Sequence, residues 1–99
     1  MDLMKIQKDV YQNKVNKGFN VTNVEKEFCF LYGEVSEAYE AYRKKKDDLG
    51  EELADVAIYL LGLSEILGFN LEEEILKKHS KNQTREYKII DGVNTRIGD

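Results

Sequence analysis

Two pairs of acidic residues have a spacing that would suit metal binding. Glu34 and Glu37 are three residues apart, and Glu52 and Asp55 repeat that spacing after fourteen intervening residues. On a helix, residues three apart lie on the same face, so each pair would present two carboxylates in one direction. Carboxylate oxygens in such groups are typical ligands of hard divalent cations.

The apolar neighbours of both pairs place the acids toward another helix rather than toward water. Glu34 has Phe30 one turn before it and Ala38 one turn after it. Glu52 and Asp55 share a helical arc with Val56, Tyr59, Leu63 and Ile66, in a segment that is apolar almost all round. A helix with that pattern is normally central in a bundle, so we expect its first-turn acids to face a neighbour.

Four acids that converge between two helices need a counter-charge. At an effective dielectric of about 20, two like charges roughly 5 Å apart repel by about 3 kcal/mol. Lysine and arginine are scarce on these faces, so we expect a bound divalent cation, and all-oxygen ligands favour Mg²⁺, or Mn²⁺, over zinc. With twelve glutamates in the chain, some acid pairs with this spacing arise by chance. Either pair alone would therefore more often be solvated or have a capping role, and acids in the first turn of a helix also favour its dipole. The combination of both pairs favours the metal.

Helix start and stop signals predict an all-α fold of four helices. The first covers Leu3 to about Lys17 and ends at Gly18. A capping box of Thr22 and Glu25 is expected to open the second, which runs to about Lys45. Boxes of Asp48 with Glu51 and of Asn70 with Glu73 are expected to open the third and fourth, with Gly68 between them. Short connections predict that the second and third helices form an antiparallel hairpin.

The last residues have a different pattern. YKII and VNTRI flank Asp91-Gly92, which is typical of two short strands around a hairpin turn, although a frayed tail is the alternative. Residues 1–99 are therefore expected to form a single domain, with a helical core of about 3–87 and a tail of 88–99. A domain of this size has a small core, so we expect self-association.

Composition argues against several classes of partner. The net charge of −4 and pI near 5.1 argue against nucleic acid. The longest uncharged run, 56–64, is too short for a membrane span. A single cysteine and an amino terminus without a signal-type apolar stretch lead us to expect a cytoplasmic protein. Cys29 is expected to be buried and apolar, and His79 to lie at the surface.

Glu34-x-x-Glu37 followed by Glu52-x-x-Asp55 within EELADVAIYLL resembles the signature of the MazG-like all-α nucleoside triphosphate pyrophosphohydrolases. GFNLEEEILKKHSKNQTR is similar to the closing segment of that family, with Lys78, Asn82 and Arg85 in a Lys-x-x-x-Asn-x-x-Arg arrangement. The resemblance covers roughly residues 27–85 and corresponds to the short, single-domain form of the family.

The resemblance implies a MazG-like four-helix bundle that uses Mg²⁺ to cleave a nucleoside triphosphate between its α and β phosphates. Glu34, Glu37, Glu52 and Asp55 would be the metal ligands, or in one case the catalytic base. Lys78, Asn82 and Arg85 would hold phosphate or sugar. The resemblance further implies a homodimer or homotetramer.

Two other functions remain open at this point. One is a non-enzymatic helical interaction protein whose acids bind a structural cation or a basic partner. The other is a related enzyme that acts on a phosphoribosyl nucleotide. Phe28, Tyr32 and Tyr39 cluster on the side of the second helix away from Glu37, and we expect a subunit contact there. Phe19 and Tyr59 could stack on a base, although ordinary packing is the more common role of such residues.

Overall fold

The chain forms an all-α bundle with a short β-hairpin at its carboxyl end, as predicted. The structure is a computed structural model that describes residues 1–98. Its elements, in chain order, are α1 (Leu3–Asn16), α2 (Val24–Arg43), α3 (Leu49–Leu67), α4 (Leu71–Thr84), β1 (Glu86–Ile90) and β2 (Val93–Ile97).

Helix α3 is central, which confirms the expectation from its apolar sequence. It packs along α2 on one side and along α1 on another, whereas α4 packs against α1. The buried apolar residues come from the two helices of the hairpin: Ala38 and Ala41 on α2, and Leu61 and Leu63 on α3. The small alanine side chains let α2 and α3 approach closely at the level of the acidic residues.

The helix ends confirm some of the predicted caps and correct others. The N-cap of α2 is Asn23, whose side chain accepts a hydrogen bond from the Lys26 backbone, so the predicted Thr22 cap is wrong. The Asn20 side chain fixes this register, because it accepts from the Asn23 backbone N–H and donates to the Asn23 carbonyl. Asp48 occupies the N-cap of α3 without a side-chain capping bond.

Asn70 caps α4 as expected, by accepting from the Glu73 backbone N–H. The preceding helix ends at Gly68, which adopts a left-handed conformation with φ of 81° that glycine reaches without strain.

Gln7 joins three helices. Its side chain is fully buried; Nε2 donates to Glu65 Oε1 at 2.9 Å and to the Phe69 carbonyl at 2.7 Å. Its Oε1 accepts from the Leu71 backbone N–H at 3.2 Å. These bonds connect α1 with the end of α3 and the start of α4, and they explain why α4 lies on α1.

The carboxyl-terminal residues form the predicted hairpin rather than a frayed tail. Strands β1 and β2 pair antiparallel, with Ile90 opposite Val93. Asp91 and Gly92 both have positive φ, as the type I′ turn of a two-residue hairpin requires. All residues of β1 are exposed. No helix within the described part of the chain has the length and hydropathy needed to cross a bilayer.

Candidate metal and active site

The hairpin of α2 and α3 brings three of the four predicted acids together. One carboxylate oxygen from each of Glu34, Glu37 and Glu52 lies within 4.8 Å of the others. We call these three residues the acidic cluster. Asp55 is exposed and lies outside this group of three, although its charge acts on both Glu34 and Glu52. The structure therefore places Asp55 at the margin of the site.

The site combines the middle of one helix with the first turn of another. Glu34 and Glu37 lie midway along α2, and the buried residues Ala38 and Ala41 follow on the same side of that helix. Glu52 lies in the first turn of α3, soon after the chain reverses direction. The short connection between the helices therefore holds Glu52 opposite the α2 pair.

Burial and mutual repulsion both raise the pKa values in this site. The pKa of Glu34 lies above its ordinary 4.5, first because of burial and then because of the charges of Glu37, Asp55 and Glu52. Burial also raises the pKa of Glu52, with further contributions from Asp48, Glu37 and Asp55, while Lys46 opposes the shift. Without a counter-ion, the fold therefore disfavours full ionisation of these carboxylates.

Two carboxylate oxygens of the cluster have no protein partner. Glu34 Oε2 and Glu52 Oε2 are buried and have no hydrogen-bond partner among residues 1–98. A buried, unsatisfied carboxylate oxygen is unfavourable, whereas a cation bound by the cluster would offset that cost. The donor set is entirely oxygen, and the residues therefore fit a hard divalent cation such as Mg²⁺.

An open cleft adjoins the acidic cluster. Its volume is about 240 Å³, and its lining residues include Ser36, Glu37, Lys46 and Glu52. Mg²⁺ in proteins usually keeps several waters and takes phosphate oxygens from a substrate. A site with one open side provides room for both.

A network of interacting side chains lies beside Glu34. Lys14 and Glu27 form an ion pair between α1 and α2, and the Lys14 ammonium lies 4.8 Å from the centroid of the Tyr59 ring. Phe30 packs edge-on against the same ring, with centroids 6.3 Å apart. Burial, followed by the charges of Glu34 and Glu27 among others, raises the pKa of Tyr59. Tyr59 therefore stays a neutral phenol beside the acids.

An apolar cavity of about 340 Å³ lies between α1 and α3. It is lined by Ile6, Asp9, Val10, Asn13, Lys14, Phe19, Ile58 and Tyr59. Phe19 and Tyr59 thus share one cavity, and Asp9 and Asn13, which also line it, were not among the residues predicted from the sequence. The available signal was their spacing of four residues, which places both on one face of α1 beside the apolar residues Ile6 and Val10.

The predicted phosphate ligands, Lys78 and Asn82 on α4 and Arg85 directly after it, lie near one another but away from the acids. Arg85 Nη1 donates to Asn82 Oδ1 at 3.2 Å, and Lys78 and Asn82 line a shallow cleft with His79. The charge of Arg85, then loss of hydration, then Lys81 and Arg96 lower the pKa of Lys78. None of the three predicted ligands lines the cleft beside Glu37 and Glu52.

Two predictions about single residues can be compared with the structure. His79 is exposed, as expected. Cys29 is also exposed, so the prediction that it is buried is wrong. It lies on α2 outside the side that packs on α3, where no helix of the described chain covers it.

The fold and the site define an all-α protein with a carboxylate cluster, suited to a divalent cation, between two antiparallel helices. The MazG-like family model matches residues 17–99, which include both acidic pairs and all of the elements from α2 onward. The chain belongs to the MazG-like family, and this membership suggests nucleotide pyrophosphohydrolase activity at the level of the family. Neither the curated proteins nor the solved structures include a significant match.

Proposed function

We propose that the protein is a Mg²⁺-dependent nucleoside triphosphate pyrophosphohydrolase, which cleaves between the α and β phosphates to release the monophosphate and pyrophosphate. The observation that carries the proposal is the acidic cluster, with two buried carboxylate oxygens that have no partner in the described part of the chain. Mn²⁺ is the alternative cation, since it accepts the same oxygen ligands.

The four acids divide into two roles. Glu34, Glu37 and Glu52 would hold the cation, which when bound polarises the α-phosphate and lowers the pKa of a coordinated water. Asp55 lies beside these residues and is exposed, which suits it to accept the proton of the attacking water and to orient that water. Tyr59, as a neutral phenol, can donate a hydrogen bond to the substrate without adding negative charge.

Lys78, Asn82 and Arg85 would bind phosphate oxygens, because their positive charge and amide donors complement the negative charge on the leaving pyrophosphate. Within one chain these residues do not line the acidic cleft. The proposal therefore includes a homodimer or homotetramer in which α4 of one copy approaches the acidic cluster of another.

The exposed apolar surfaces support self-association. The outer side of α2 carries Phe28, Tyr32, Val35 and Tyr39, and the exposed fractions of Tyr32 and Tyr39 are 70% and 62%. On α3, Leu53 and Leu60 remain exposed although that helix is central. Contiguous apolar patches of this kind usually mark interaction sites. A second copy would cover the side of α2 that faces away from α3.

The cavity between α1 and α3 supports nucleotide binding. Its volume falls within the range typical of small-molecule sites, about 300–1,000 Å³, and Phe19 and Tyr59 provide aromatic rings for contact with a base. Tyr59 follows Asp55 by one turn of α3, so the cavity and the acidic cluster adjoin along the same helix.

The test is release of pyrophosphate from a panel of ribo- and deoxyribonucleoside triphosphates with Mg²⁺, with a phosphoribosyl nucleotide included. Glu37→Gln and Asp55→Asn should each abolish turnover and leave the helical circular dichroism intact. Glu73→Gln, which removes one exposed acid on α4, serves as the matched control and should keep wild-type activity. Full activity of either site variant would contradict the assignment.

The exposed apolar surfaces also favour a second candidate, a non-enzymatic helical interaction protein with a structural cation. This function requires a stable oligomer or complex and no pyrophosphate release from any nucleotide. The same panel, combined with sedimentation analysis, separates the two functions.

A further inference from the structure

The cavity between α1 and α3 contains hydrogen-bonding groups that the proposed reaction does not use. Its walls are mainly apolar, with Ile6, Val10, Phe19 and Ile58 around the space. Asp9 and Asn13 lie one turn apart on α1 and both line it. Neither side chain has a hydrogen bond or an ion pair with another described residue, 1–98. Both are therefore free to bind a ligand.

The charges around the cavity disfavour an anionic ligand group. Lys14, the cationic residue among those that line the cavity, is already paired with Glu27 and lies over the Tyr59 ring. Asp9 adds an unpaired negative charge at the wall, and the triphosphate would be repelled from it. The part of a nucleotide that fits is the neutral, planar base, with its faces against the apolar walls.

The side chain of Asp9 decides which bases fit. An ionised carboxylate only accepts hydrogen bonds, whereas an asparagine amide both accepts and donates. Cytosine and adenine present an exocyclic amino donor next to a ring-nitrogen acceptor, and a uracil or thymine presents a carbonyl oxygen in place of the amino group. Asp9 would accept from the amino group while Asn13 donates to the ring nitrogen. A carbonyl oxygen would face the carboxylate and be repelled.

The distance along α3 agrees with one nucleotide spanning both sites. Tyr59 lies at the cavity and Glu52 in the acidic cluster, seven residues apart. At about 1.5 Å per residue that separation is about 10 Å along the helix axis. A ribose and an α-phosphate can bridge a gap of this size, so a base in the cavity would place its phosphates at the acidic cluster.

We propose that Asp9 and Asn13 make this chain selective for nucleotides whose base carries an exocyclic amino group over the corresponding carbonyl bases. The inference rests on the proposed function, since it concerns the base of the same substrate. One hydrogen bond to a charged acceptor gives discrimination of about tenfold or more.

Matched substrate pairs test the selectivity. CTP and UTP differ at one exocyclic position, as do ATP and ITP. For the wild-type full chain we expect kcat/KM for pyrophosphate release to be about tenfold or more higher for the amino member of each pair. Asp9→Asn supplies a donor of nearly the same shape, so the preference should fall sharply in that variant. Glu73→Gln removes one charge away from the cavity and should leave the ratio unchanged.

Binding of the monophosphates separates failure of this inference from failure of the proposed function. Calorimetric titration with CMP and UMP needs no hydrolysis. Tighter binding of CMP that Asp9→Asn weakens would support the selectivity even if no triphosphate were cleaved. Equal or reversed preference in the wild type, or a ratio that Asp9→Asn leaves unchanged, would overturn it. Asn13→Leu, which removes the second polar group, provides an independent variant and should also reduce the preference.

Discussion

The ion pair between Lys14 and Glu27 should contribute strongly to stability, because it is buried where three helices meet. The exposed fractions of the two residues are 8% and 2%. Lys14 belongs to α1 and Glu27 to α2, while Gly62 of α3 leaves room for the aliphatic part of the lysine. The ammonium group also lies over the ring of Tyr59. Removal of either charge would leave the other buried without its partner.

The expected magnitude follows from that burial. Breaking a buried pair by removing one partner typically costs 3–5 kcal/mol, so Glu27→Gln should lower the free energy of unfolding by about 3 kcal/mol. For a domain of about 100 residues, each 1 kcal/mol shifts Tm by about 4–8 °C, and Tm should therefore fall by about 12 °C or more. Replacement of both residues by apolar ones, Lys14→Met with Glu27→Leu, should restore much of the loss.

The assay is a double-mutant cycle measured by urea and thermal unfolding, followed by circular dichroism at fixed protein concentration. The exposed pair of Arg43 with Glu40 provides the control, and Glu40→Gln should barely change stability, since exposed pairs contribute little. If Lys14→Met and Glu27→Leu each cost less than about 1 kcal/mol, or if their losses simply add in the double variant, the reasoning from burial is refuted.

Two further predictions concern the acidic cluster and the packing of α3. Because the folded-state pKa of Glu34 lies above 4.5, the folded protein binds that proton more tightly than the unfolded chain. The free energy of unfolding of the metal-free protein should therefore fall as pH rises from 4.5 through the raised pKa of Glu34. Glu34→Gln should remove this dependence on pH. If the free energy of unfolding in EDTA changed equally with pH in the wild type and the variant, the pKa shift would be contradicted. Gly62→Ala would place a Cβ 3.2 Å from Lys14 Cδ, and because the Lys14 side chain is held by its ion pair, this close contact should cancel the helix-propensity gain of alanine in thermal unfolding. Gly33→Ala, with no heavy atom within 4 Å of the new Cβ, should instead stabilise by about 0.5–1 kcal/mol; equal effects of the two substitutions would argue against the packing at Gly62.

The sequence was most informative where local chemistry determines local structure. Gly68 and Asn70 fixed the end of α3 and the start of α4, and the Asp91-Gly92 pair fixed the type I′ turn of the hairpin. The three residues of the acidic cluster were predictable for the same reason, since helical spacing and a short connection determine which faces of α2 and α3 meet.

Prediction from the sequence failed where competing local bonds or long-range contacts determine the structure. Asn23 replaced Thr22 as the cap because the Asn20 side chain holds the preceding turn, an interaction that the capping pattern does not include. The position of α4 depends on the buried Gln7, whose partners lie about 60 residues away in the chain. Cys29 was predicted to be buried because its residue type usually is, but it lies on an outer side of α2.

The proposed mechanism depends on cation binding by Glu34, Glu37 and Glu52, and titration calorimetry with Mn²⁺ or Mg²⁺ measures it. The wild-type protein should take up the cation, more tightly when a nucleotide is present. Glu34→Gln and Glu52→Gln should each lose that uptake and remain folded, while Glu73→Gln should bind as the wild type does. Absence of uptake by the wild type even with nucleotide, or equal uptake by all of the variants, would contradict the mechanism.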